Sequence, residues 1–212
     1  MSYKHYLFDF DGTLVDSMPT YVRAMLRVLD EHGIAYGGDL VRTITPLGYL
    51  GTARYYIREL GLAMPEEEAV AAMKAYAYDG YAHHVAAKEG VSEALCALRA
   101  AGATLHILTA SPHEVLDVCL TRLGLAPLFT DIWSCDDFGT TKADPEIYRM
   151  AAARIGAPVS EILFLDDNEN ACKTAAAAGM PVCGVYDATS ADREAALRAV
   201  AGRYIHSFSE LL

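Results

Sequence analysis

The sequence predicts an α/β protein, a doubly wound parallel sheet with an α-helical module inserted after its first strand. Three observations carry this. A short apolar strand pattern, Tyr6-Leu7-Phe8, opens the chain. From Val91 onward, apolar runs of strand length alternate with helical patterns, which builds a parallel sheet covered by helices on both faces. Between these regions three helical patterns follow one another with no strand among them. The chain thereby divides into a sheet domain, residues 1–16 and 89–212, and a helical domain, residues 17–88. A length of 212 residues accommodates a core domain with a smaller insertion.

Each element has a local reason. The first strand drives into Asp9-Phe10-Asp11-Gly12. If Asp9 and Asp11 alternate as strand residues do, their side chains leave on the same side, and Gly12 lets the backbone turn sharply. A lone Asp-x-Asp-Gly is also how an ordinary strand and turn look. A helix begins near Pro19, with Val22, Met25, Leu26 and Leu29 on one face and Gly33 as its stop. Residues 37–51 read as loop, and two helices follow, roughly Thr52 to Leu60 and Pro65 to Ala86.

The alternating part starts with a helix carrying Val91, Ala94, Leu95 and Leu98, ended by Gly102, and a strand at 103–109. Ser111-Pro112-His113-Glu114 reads as a capping box opening the next helix, which stops at Gly124. A short strand at 131–134 precedes a helix from Asp144-Pro145 to Gly156, with Asp144 as its N-cap. A strand at 162–165, a helix stopping at Gly179, a strand at 181–185, a last helix and an edge strand near Tyr204-Ile205 complete the chain.

Composition narrows the classes of function. Hydrophobic residues at 53% and charged residues at 21% describe a globular chain with a sizeable core. A formal net charge of −11 argues against nucleic acid or an anionic membrane as the main partner. The five cysteines lack CxxC spacing and sit in apolar settings, which predicts buried, reduced thiols and no structural metal site. With no signal-peptide pattern and no apolar stretch of membrane-spanning length, the expected location is the cytoplasm. No interface signature stands out, so the expected state is a monomer or weak homodimer.

Functional groups in such sheets gather where strand C-termini meet the loops. Thr109 ends the second core strand, and Ala110 and Ser111 lead into a helix N-terminus, a combination of hydroxyl, free N–H groups and dipole suited to phosphate. Asp166 and Asp167 end an apolar strand, a costly placement that a divalent cation would offset. Oxygen donors without a His or Cys cluster suit Mg²⁺. The adjacent pair His83-His84 diverges by about 100° on a helix and chelates poorly.

Asp9-Phe10-Asp11-Gly12-Thr13-Leu14-Val15-Asp16-Ser17 resembles the first motif of the haloacid dehalogenase superfamily in its phosphatase form. In the same order Thr109 matches the second motif, Lys142 in Lys142-Ala143-Asp144-Pro145 the third, and Asp166-Asp167 the fourth, in its version with two consecutive acids. Ala171 stands where another version has a further acid. The resemblance implies a Rossmann-like core with a helical cap, and Asp9, Asp11, Thr109 and Lys142 as catalytic residues. It further implies Mg²⁺ held by Asp9, the Asp11 carbonyl and Asp167 with Asp166 beside them, and a small phosphorylated metabolite as substrate. Ala110, Ser111, Thr45 and Arg23 are the candidate substrate contacts, with Arg54 and Lys74 as further cap cations.

Among the subgroups, phosphoglycolate phosphatases are the nearest in general resemblance. The β-phosphoglucomutase group comes second; Tyr21 stands where those mutases carry a cap histidine. A phospho-accepting switch uses similar residues, but its acidic pair lies on the first strand, its phosphorylated Asp on a later one, and it has no inserted cap.

Overall fold

The computed structural model describes residues 3–44 and 47–212, without the side chain of Arg42. They form two compact units: one runs to Asp16 and resumes at Ala86–Leu212, the other is Ser17–Val85.

The first unit holds a six-stranded sheet: β1 (His5–Phe8), β2 (Thr104–Thr109), β3 (Asp131–Ser134), β4 (Ile162–Asp166), β5 (Val182–Val185) and β6 (Arg203–Ile205). Its order is β3-β2-β1-β4-β5-β6, and each of these pairings is parallel. β1 lies between β2 and β4, so the chain winds outward to one side, returns, and winds outward to the other. The crevice at such a reversal, above the strand C-termini, is where α/β sheets bind ligands. Phe8 is in register with Ile107 and Leu165, and the Asp9 amide donates to the Leu165 carbonyl at 2.8 Å. The ends of β1 and β4 are therefore locked side by side.

The helices are α1 (Met18–Glu31), α2 (Leu40–Ile44), α3 (Gly48–Glu59) and α4 (Glu66–His83) in the second unit, then α5 (Val91–Ala100), α6 (His113–Arg122), α7 (Glu146–Ile155), α8 (Glu169–Ala177) and α9 (Glu194–Val200) around the sheet. β4 is buried along its whole length because helices cover both faces, which explains why it reads as a continuous apolar run. Leu7, Leu108 and Phe164 from the strands pack with Ile147 and Tyr148 of α7 and Cys172 and Ala175 of α8. Each such large apolar side chain contributes about 1.5–3 kcal/mol when buried.

The helical unit has its own core, drawn from Met25 and Leu29 of α1, Ile44 of α2, Tyr56 of α3 and Met73 of α4. Gly80 lets α4 cross α1 closely: a Cβ there would lie 2.1 Å from Thr20 Cγ2.

The structure corrects four expectations here. Residues 37–51 are not all loop, since α2 occupies Leu40–Ile44 and α3 starts at Gly48. The buried pair Leu40 and Ile44 has helical spacing, and packing overrides the poor helix propensity of Gly48 and Gly51. α4 is shorter than expected, ending at His83. β1 stops at Phe8, so Asp9 and Asp11 lie beyond the strand. Cys96 is exposed, whereas the other four cysteines are buried. On α5 the buried face is Val91, Ala94, Leu95 and Leu98, and Cys96 falls between those positions on the outer side.

Candidate active site

Four carboxylates converge at the β1–β4 junction or in the turn that follows it. Asp9 follows β1 and is 6% exposed, and Asp166 ends β4 with no exposure at all. The Lys142 ammonium bonds to Asp9 Oδ1 and, at 2.9 Å, to Asp166 Oδ2. Lys142 comes from the loop before α7, and Tyr148 places that loop. Its buried hydroxyl lies 3.2 Å from the Lys142 carbonyl and 3.0 Å from that of Ala171. Asp166 Oδ1 accepts from the Asn168 amide at 2.7 Å, so both oxygens of this carboxylate are engaged.

Asp167 is held by Thr13. The fully buried Thr13 hydroxyl donates to Asp167 Oδ1 at 3.0 Å and accepts from the Asp167 amide at 3.1 Å. Gly12 makes that approach possible. It has φ +75°, and a Cβ would stand 2.7 Å from Asp167 Oδ2. Asn168 caps α8 with its side chain, which accepts from the Asn170 and Ala171 amides.

The loop after β2 meets Asp11. Ser111 Oγ donates to Asp11 Oδ2 at 2.5 Å, and the Ser111 amide donates to Thr109 Oγ1 at 3.0 Å. This corrects the expected capping box: α6 starts at His113 after Pro112, with no side-chain cap from Ser111. Pro112 holds the N-cap position, and the Ser111 hydroxyl gives its proton to the Asp11 carboxylate, a strong charge-assisted bond. The expected N-cap of α7 is also corrected: Pro145 holds that position, and Asp144, one residue earlier, accepts from the Glu146 amide through Oδ1 at 2.9 Å.

The electrostatics are those of a site short of positive charge. Burial pushes the Asp9 carboxyl well above its ordinary value, Asp166 and Asp11 add to this, and Lys142 opposes it. Burial also raises Asp167, helped by Asp166 and Asp9. Burial disfavours the Lys142 ammonium, but Asp166 and Asp9 more than compensate and keep it charged. Asp9, Asp166 and Asp167 each offer an oxygen within 4.8 Å of the others, an arrangement that could hold a divalent cation. The donor set fits one: all oxygen, anionic and largely buried. Asp9 and Asp167 are the better placed ligands, because Asp166 already serves Lys142 and Asn168.

Of the residues singled out in the sequence, the structure brings Asp9, Lys142, Asp166 and Asp167 into one cluster and joins Ser111 to Asp11. Thr109 is buried at the end of β2, and Ala110 is exposed. Arg23 is exposed on α1 of the helical unit, Arg54 is paired with Glu66 at 2.8 Å, and Thr45 lies outside the described residues. His83 bonds Asp79 on its own helix. Thr13 and Tyr148 were not singled out. The signal for Thr13 was a polar residue between Gly12 and the apolar pair Leu14-Val15; Tyr148 reads from sequence as core.

Among the described residues no helix is long and apolar enough to cross a membrane. A family model described as haloacid dehalogenase-like hydrolase matches residues 3–179. The pyrophosphatase PpaX of Bacillus velezensis is 28% identical over 179 residues, covering 84% of this chain and 81% of that protein. A phosphoglycolate phosphatase of Yersinia pseudotuberculosis is 30% identical over 187 residues, covering 84% of this chain and 78% of that protein. Among solved structures, a candidate β-phosphoglucomutase from Thermotoga maritima superposes with a TM-score of 0.86 at 25% identity, over 99% of this chain and 96% of that one.

Proposed function

The chain belongs to the haloacid dehalogenase-like hydrolase family, and from that premise we propose that it is a Mg²⁺-dependent phosphatase of a small phosphomonoester metabolite. The observation that carries this reading is the pairing of two differently held carboxylates: Asp9, fixed by Lys142 at the β1–β4 switch, and Asp11, oriented by Ser111.

The Asp9 carboxylate attacks phosphorus, the ester P–O bond breaks, and Asp11 gives its proton to the departing alkoxide. Asp11, now ionised, takes a proton from water as the water oxygen attacks the aspartyl-phosphate. The Asp9–phosphorus bond breaks, inorganic phosphate leaves, and Asp11 is again protonated. Lys142 offsets charge on the phosphoryl oxygens, and Thr109, Ala110 and Ser111 receive the phosphoryl group beside the α6 N-terminus. Asp9, the Asp11 carbonyl and Asp167 would hold Mg²⁺, with Asp166 beside them. The cation supplies Lewis-acid stabilisation of the phosphoryl oxygens when bound. Arg23 and Thr45 keep, from the sequence alone, their proposed part in choosing the substrate.

The relatives' printed activities differ, a pyrophosphatase and a phosphoglycolate phosphatase, so the reading stops at a compact phosphorylated metabolite. A mutase of the β-phosphoglucomutase kind is second. Against it stands Tyr21, whose ring packs against Tyr49 at 5.3 Å and has no imidazole to shuttle protons.

The test is phosphate release from phosphoglycolate, pyrophosphate and hexose phosphates, each with Mg²⁺ and with chelator. Mg²⁺-dependent release that favours one compact substrate is expected. Interconversion of hexose phosphates without release would overturn the phosphatase in favour of the mutase.

A further inference from the structure

A second ion pair in the sheet unit is not used by the chemistry above. Lys88 Nζ lies 2.8 Å from Asp187 Oδ2 and donates to the Tyr186 carbonyl at 2.7 Å. The pair is well shielded, with side-chain exposures of 16% for Lys88 and 3% for Asp187. Asp187 follows β5 and caps the turn at 188–193, its Oδ1 accepting from the Thr189 amide at 2.9 Å and from the Thr189 hydroxyl at 2.5 Å. Burial works against the Asp187 charge, yet the bonds from Lys88 and Thr189 hold the carboxyl below its ordinary value. Stability alone is a weak reason for a shielded ion pair, since apolar side chains of similar size often serve as well. Its connections supply another reason.

The Lys88 amide donates to the Leu14 carbonyl at 3.0 Å, and the Asp16 amide donates to the Ala86 carbonyl at 2.9 Å. Val15 bridges Ala87 in antiparallel fashion, so residues 14–16 and 86–88 form a short ribbon. The same turn closes on Asp11, which bridges Val15, while the Gly12 amide donates to the Val15 carbonyl at 3.0 Å. The Lys88 side chain is thus the tie between this ribbon and the end of β5.

We propose that Lys88 and Asp187 form a strut that positions Asp11. The ammonium–carboxylate bond fixes residues 86–88 against the end of β5, and the ribbon's backbone bonds hold the 11–16 turn where the Asp11 carboxyl meets the leaving oxygen. This rests on the reading of Asp11 as the acid and base given above. Both members are positioning residues, since neither is assigned a contact with the reacting atoms.

The consequence is selective. A displaced Asp11 protonates leaving groups poorly, which slows the first step for an alkyl phosphate and hardly for p-nitrophenyl phosphate, whose phenolate departs without a proton. The second step, in which Asp11 is the base, is common to both esters. In Lys88→Met, the single-turnover rate of alcohol release from phosphoglycolate should fall about tenfold or more, while that of p-nitrophenolate release from p-nitrophenyl phosphate stays within about twofold. Lys88→Arg, which keeps the charge, should recover most of the loss. In the metal-free protein, hydrogen exchange at the Asp16 and Lys88 amides should quicken in Lys88→Met. If that variant does not fold, Asp187→Asn removes the charge pairing and should show the same selectivity and the same exchange. Equal loss in the two single-turnover release rates, or exchange at the two amides unchanged from wild type, would overturn the strut. If the wild-type enzyme hydrolyses neither ester, the phosphatase reading is what fails, and the exchange measurement alone decides whether the strut exists.

Discussion

The two edges of one sheet carry two polar networks of opposite character. At the N-terminal edge, where β1, β2 and β3 begin, His5 Nδ1 lies 2.8 Å from Thr104 Oγ1, and Thr104 Oγ1 lies 2.9 Å from His106 Nε2. His106 Nδ1 lies 2.9 Å from Asp131 Oδ2, and the His106 ring stacks on Trp133 at 5.7 Å. Every group in that chain has a partner, and one carboxylate faces two imidazoles. At the C-terminal edge, the Lys142 ammonium bonds Asp9 and Asp166, while Asp11 adds its charge to Asp9, and Asp166 and Asp9 add theirs to Asp167. A network that closes on itself belongs to the fold. One left with surplus negative charge is built to receive cations and a phosphoryl group.

The sharpest way to break this comparison is to neutralise each edge in turn. Asp9→Asn removes the nucleophile and should lower turnover by about three orders of magnitude or more, as loss of a nucleophile does elsewhere. Because it also relieves crowding among the acids, its metal-free melting temperature should equal or exceed wild type in a thermal scan. Lys142→Met leaves Asp9 and Asp166 buried without their cation, and should lose about 3–5 kcal/mol in denaturant titration as well as activity. His106→Ala, at the other edge, should lose about 1–3 kcal/mol with kcat unchanged, because only the closed network is opened.

A subtler contrast lies in pH. Asp9 and Asp167 have folded-state pKa values raised above the ordinary 3.8, so the folded chain binds those protons more tightly than the unfolded one. The stability they contribute is present at low pH and is lost as pH rises through the raised values. His106 is shifted the other way: burial lowers it from 6.5 despite the pull of Asp131. Its contribution is present above 6.5 and is lost as pH falls through the folded value. Melting temperatures across this range should therefore show a loss on the alkaline side that Asp9→Asn diminishes and Mg²⁺ repairs. They should also show a loss on the acid side that His106→Ala diminishes and Asp9→Asn does not.

The same contrast explains what could be read from the sequence. The C-terminal edge was legible because charged residues ending apolar strands are conspicuous, and Asp9, Lys142, Asp166 and Asp167 do meet. The alternation of the sheet unit was legible for the same reason, since strands buried on both faces leave unbroken apolar runs such as 162–165. The partners were harder. Ser111 looked like a helix cap, and only the fold could bring it, from 100 positions away, to Asp11. Thr13 and Asp167 are 154 positions apart, and nothing local announces their bond. In the helical unit, glycine and threonine hid α2 and the first turn of α3, which form because Leu40, Ile44 and Tyr56 are buried together.

The most direct test of the surplus-charge edge as a phosphoryl acceptor is to trap the intermediate. Wild-type enzyme turning over p-nitrophenyl phosphate with Mg²⁺ would be quenched in acid, digested and mapped by mass spectrometry. The expected result is one phosphoryl group on the peptide carrying Asp9, absent in Asp9→Asn and in chelator. A phosphoryl group on any other residue, or the same label on the Asp9→Asn protein, would contradict the account.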